Sequence, residues 1–180
     1  LYINISTYVT TGNLEGVEHW AKLNNLKEAA RTFNYLSENK LLNYDEFRQH
    51  VSDVDASVKA VDQRIAQINS ELSTQKVIQK HCDSYRLCRK VIEDCKSAKN
   101  PKAYRTKHQA EYQLHDSLKK ELQNLGVTKI PSTNKVQKLI ENLESEQATT
   151  VREKQELQKK QKTLDIIQQN FTALLDAPEI

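Results

Sequence analysis

The chain has 180 residues, of which 37% are hydrophobic and 28% charged, and its mean hydropathy is −0.75. Three Gly and three Pro are too few for the turns of most all-β folds, and Gly12, Gly16 and Gly126 have no phosphate-loop or dinucleotide-fingerprint spacing. No run of about 18 apolar residues occurs, so no membrane-spanning segment is expected. The formal charge of +3 is too small to imply nucleic-acid binding by itself. The sequence contains no Met and opens at Leu1-Tyr2-Ile3, as expected of a piece excised from a longer polypeptide.

The charge is unevenly spread. Residues 75–129 hold 13 basic against 6 acidic residues, a local excess of +7, while residues 44–74 carry −3 and both ends are close to neutral. Cys82, Cys88 and Cys95 are odd in number and lack the close ligand pairs of a zinc site. They read as free, buried thiols of a reducing cytoplasm.

In chain order, Leu1–Thr11 is a short helix or extended lead-in ended by Gly12 and Gly16. From Val17 to Leu36 the apolar residues Val17, Trp20, Ala21, Leu23, Leu26, Ala29, Ala30, Phe33 and Leu36 recur at helical spacing, with a break expected near Asn24-Asn25 and a stop at Asn39. Trp20, Phe33 and Tyr35 are assigned to the core.

The strongest periodicity follows. Phe47, Val51, Val54, Val58, Val61, Ile65, Ile68 and Leu72 are separated alternately by four and three residues, the pattern of a coiled-coil seam. The seam then turns polar at Gln75 and Gln79 and resumes in a shifted phase at Cys82, Tyr85, Cys88, Ile92 and Cys95. Lys96–Lys107, with Pro101 and no acid, is expected to be a loop. A third helix carries Tyr104, His108, Glu111, His115, Leu118, Leu122 and Leu125, and Gly126 stops it. After Pro131, capped by Ser132 or Thr133, a last helix repeats Val136, Leu143, Thr150, Leu157, Leu164 and Phe171 every seven residues, with Ile140, Ile167, Leu174 and Leu175 beside them. The two long helices, about 80 and 65 Å at 1.5 Å per residue, bury their narrow stripes most simply against each other. The expected fold is therefore all-α: an elongated antiparallel coiled-coil hairpin over 44–180, a small helical head at about 80–130, and short N-terminal helices over 1–43.

Two polar constellations stand out. His108, Glu111 and His115 fall on one helical face, where imidazoles and a carboxylate suit a metal. Their spacing over two turns makes it hard for all three to reach one ion, so the favoured reading is a polar network satisfied by Tyr85, Arg86 or Arg89, with no metal or other cofactor. The second is the cationic set Arg86, Arg89, Lys96, Lys99, Lys102, Arg105 and Lys107, with Tyr104 among them, which suits phosphates or an acidic partner. A solvated charged surface is the plainer reading of the same residues.

Several stretches together are similar to one family. His19-Trp20-Ala21-Lys22, Asn25-Leu26-Lys27-Glu28-Ala29-Ala30-Arg31-Thr32 and Asn34-Tyr35-Leu36-Ser37-Glu38 resemble the segment that follows the nuclease domain in relaxases, the mobilization nucleases of conjugative elements and plasmids in Gram-positive bacteria. Tyr85 with Arg89, then Tyr104, His108, Glu111, Leu114 and His115, and finally Leu125-Gly126 with Lys129-Ile130-Pro131, continue the resemblance. Gln, Thr and Lys dilute the last seam, and Lys99-Asn100-Pro101 replaces a Gly-Tyr-Ser turn of the family.

The resemblance implies a bacterial, cytoplasmic, non-catalytic C-terminal region. Its partners would be transfer-origin DNA and relaxosome or type IV secretion proteins, with no membrane insertion. The nicking tyrosine and its histidine-held metal would lie upstream. Two other readings remain: a structural coiled-coil spacer that dimerises through exposed parts of the Phe47–Leu72 seam, and a metal-dependent enzyme using His108, Glu111 and His115.

Overall fold

A computed structural model of the chain describes residues 14–41 and 43–175, with side chains from 19 to 172. Among the described residues all regular structure is helical: α1 (Leu14–Glu38), α2 (Tyr44–Lys96), α3 (Pro101–Lys107), α4 (Gln109–Asn124) and α5 (Thr133–Leu175). The fold is all-α, with one long helix packed on another. No helix among the described residues is long and apolar enough to cross a membrane. The lead-in over 1–11, Gly12, and the side chains of Leu174 and Leu175 lie outside what is described.

Local chemistry explains the helix boundaries. Asn43 caps α2, its Oδ1 accepting from the Glu46 backbone N–H at 2.9 Å, with Asp45 and Glu46 in the favourable first turn. Ser132 caps α5 by accepting from Lys135 N–H at 3.3 Å. Asn100 caps α3 from the residue before Pro101, which supplies the preset φ of the first helical position.

The residues form two units, one of 63–151 and one of the remainder. In the unit outside 63–151, α1 and the start of α2 pack with the end of α5. Phe47, Val54, Leu164 and Ile167 form the core, joined by Tyr35, Leu36, Leu41, Val51 and Phe171. Phe47 and Phe171 meet edge to face at 5.4 Å between ring centres. Asp55 accepts from Gln161 at 2.7 Å, and Lys154 pairs with Asp62 at 2.6 Å.

α1 departs from expectation. It is one unbroken helix through Asn24 and Asn25, and Gly16 lies inside it. Its buried face is Ala21, Asn25 and Glu28, followed by the half-buried Thr32, Tyr35 and Leu36. Trp20 and Phe33, expected in the core, are 60% and 71% exposed. The reason is polar pairing on the inner face: Asn170 of α5, 3% exposed, donates to Thr32 Oγ1 at 3.3 Å, and Tyr35 Oη lies 3.2 Å from His50 Nε2.

In the second unit, Ile68 and Leu72 of α2 pack with Val136, Ile140 and Leu143 of α5. Lys76 pairs with Glu144 at 2.9 Å, Arg64 Nε donates to Glu146 at 2.8 Å, and Gln79 donates to Gln137 at 2.8 Å. As the α2 partner advances from Arg64 to Gln79, the α5 partner falls back from Glu146 to Gln137. A second cluster joins Ile78 and Cys82 to Leu122 of α4, with Tyr85, Val127 and Ile130 around it.

Ile78 is buried beside the expected polar seam positions Gln75 and Gln79, which are half-buried. Here α2 faces α4 as well as α5, so its buried stripe widens by one residue. The Phe47–Leu72 seam is buried or half-buried along its whole length.

Candidate functional site

The stretch Lys96–Lys107, expected as a loop, is mostly helix: only 97–100 separate α2 from α3. The expected continuous third helix is divided at His108 (φ −107°, ψ 26°), which closes α3 by donating its N–H to Tyr104 O at 3.1 Å and opens α4 by accepting from Tyr112 N–H at 3.3 Å. His108, Glu111 and His115 therefore do not share one regular helix.

These three separate into two local groups. His108 stacks on Tyr104, with ring centres 4.3 Å apart, and its Nδ1 lies 3.0 Å from Glu111 Oε1. That bond from His108, aided by a backbone N–H, holds the Glu111 carboxyl below its ordinary value. His115 instead stacks on Tyr85 at 4.6 Å, and its Nδ1 is 3.1 Å from Asp116 Oδ1. Among the described residues no three His, Cys, Asp or Glu side chains converge on a point suited to a metal ion. Of the partners expected for this network, Tyr85 takes part; Arg86 and Arg89 are engaged elsewhere.

The cations also divide. Arg86 donates to Asp83 and to Thr133 Oγ1, both at 2.7 Å, and to the Pro131 carbonyl. It ties α2 to the turn before α5. Arg89 pairs along its own helix with Glu93 at 2.8 Å. Lys96, Lys99, Lys102, Arg105 and Lys107 are all exposed, and among the described residues none of them forms an ion pair. No acid lies between Asp94 and Glu111 to neutralise them.

A cleft of about 590 Å³ opens between α3 and α4, lined by Lys102, Arg105, Thr106, Gln109, Tyr112, Gln113 and Asp116. The Arg105 guanidinium carbon lies 5.0 Å from the centre of the Tyr112 ring, a cation–π distance. The Tyr112 hydroxyl is held above the usual phenol range, first by hydrogen bonding with Cys95 and then by desolvation. Tyr112, Gln109 and Gln113 were not among the expected site residues. Their signal was Arg105 and Tyr112 seven apart, and two glutamines four apart on α4.

All three cysteines are free and buried, and burial raises the Cys82 and Cys88 thiols above their ordinary value. Neither a family model, a curated protein nor a solved structure matches this chain.

Proposed function

We propose that this chain is a non-catalytic, cytoplasmic helical module of a conjugative DNA relaxase, and that it contributes nucleic-acid contact rather than strand cutting. In this reading α2 and α5 form an antiparallel coiled-coil hairpin, and the cluster Lys96, Lys99, Lys102, Arg105 and Lys107 is the contact surface. One observation carries the nucleic-acid part: five exposed cations stand within 12 residues with no ion pair among the described residues. No acid lies between Asp94 and Glu111 to offset this charge locally, whereas Arg89 has Glu93 one turn away.

The relaxase setting rests on the sequence resemblance. Residues quoted for it, Tyr85 with His115 and Tyr104 with His108, are in ring contact in the helical head. Arg86 and Arg89, included in the expected contact set, are not part of this surface because their guanidinium groups already have protein partners.

The test is charge reversal. A Lys99→Glu, Lys102→Glu, Arg105→Glu variant, checked for unchanged helical circular dichroism, is titrated against fluorescent DNA at low salt. Loss of binding, with a wild-type affinity that falls as salt rises, is expected. Equal affinity of variant and wild type refutes the assignment.

A further inference from the structure

We propose that the α3–α4 cleft is a binding site for one nucleotide step of single-stranded nucleic acid, with the Arg105 guanidinium serving as a stacking plane for a base. This rests on the nucleic-acid reading above and sharpens it, because cations alone would not distinguish single strands from duplex.

Arg105 is exposed on its outer side and lies over Tyr112 on its inner side. Tyr112 is in turn half-buried. The guanidinium is therefore positioned before any ligand arrives. A planar guanidinium backed by an aromatic ring accepts a base on its free face while keeping its charge for phosphate.

Gln109 and Gln113 sit one helical turn apart on α4 and line the same cleft, offering amide donors and acceptors to a base edge. Lys102 lines it from α3 and supplies a second cation. Asp116, the acid of the cleft, has its Oδ1 3.1 Å from His115 Nδ1. A space of about 590 Å³ is within the usual range for small-ligand pockets. An unstacked base enters such a space, whereas a base held in a duplex does not.

The experiment titrates the full chain with a fluorescein-labelled 12-nucleotide oligo-dT by anisotropy, with unlabelled duplex and polyglutamate as competitors. Arg105→Lys is the deciding variant, since it keeps the charge and removes the plane at an exposed position. The inference expects Arg105→Lys to weaken oligo-dT binding by about tenfold, in the range of one lost stacking contact. The salt dependence is expected to be shallow, a log–log slope of roughly −2 for two to three phosphates.

If Arg105→Lys binds as well as wild type, or duplex or polyglutamate competes as well as single strand, the stacking site is wrong. The cation cluster of the previous section survives that result provided charge reversal still abolishes binding. If neither single strand nor duplex binds at low salt, both readings fall together.

Discussion

Lys40 and Gly126 occupy the same place in the same helix-ending turn. Each has a left-handed backbone, with φ of 56° and 78°. The N–H of Lys40 bonds to Ser37 O at 3.1 Å, and that of Gly126 to Gln123 O at 3.0 Å. The next residue closes the turn in both cases, Leu41 to Leu36 O and Val127 to Leu122 O, each at 2.9 Å. Both are Schellman caps with their apolar partners in place.

The two caps differ only in whether the left-handed residue has a Cβ, which predicts opposite responses. Lys40→Gly relieves a left-handed strain of about 1 kcal/mol and is expected to raise stability by about 0.5–1 kcal/mol. Gly126→Ala is expected to lower it by about 1 kcal/mol. No atom lies within 4 Å of the added Cβ at Gly126, so the loss there is conformational and not steric. Urea midpoints at unchanged m-value measure both. A stabilising Gly126→Ala would mean the turn is not the one described.

Arg86 separates structure from binding within the cationic set. Its guanidinium joins Asp83 on its own helix to Thr133 and the Pro131 carbonyl at the start of α5. An ammonium lacks the fork needed for all three. Arg86→Lys is therefore expected to destabilise by about 1–2 kcal/mol, the scale of one or two charge-assisted hydrogen bonds, while leaving affinity for nucleic acid unchanged. A loss of affinity in a variant of normal stability would return Arg86 to the contact surface.

How far the sequence was readable depended on which kind of residue each helix buries. Phe47, Val54, Val61 and Ile68 stand seven apart and are all buried, as are Val136, Leu143 and Leu164 of the repeat on α5. A hydrophobic stripe facing another hydrophobic stripe leaves its period in the sequence. α1 departs from its apolar period because its inner face is Asn25, Glu28 and Thr32, with Thr32 accepting from Asn170 of α5 and Glu28 accepting from Arg31 one turn on, while Trp20, Leu26 and Phe33 face outward.

Apolar periodicity then points to the wrong side. α3 was legible in principle, since Asn100-Pro101 is a cap followed by a first-turn proline. Its local charge obscured it. The division at His108 left no mark, because the residues on either side continue a helical spacing.

Glu111 gives the pH prediction. Its carboxyl lies 3.0 Å from His108 Nδ1, and its titration is lowered from the ordinary 4.5, first by that bond and next by a backbone bond. A carboxyl whose folded value is depressed stabilises fully above the unfolded value and loses that contribution as pH falls through the folded one. Glu111→Gln is thus expected to be less stable than wild type at about pH 6, with the gap constant down to 4.5 and closing below it.

The same substitution in a His108→Ala background is expected to show a smaller gap, because the principal cause of the shift has been removed. Urea unfolding at a series of pH values reads both comparisons. A gap that persists undiminished at about pH 3, below the carboxylate range, would show that Glu111 acts through packing and not through its charge.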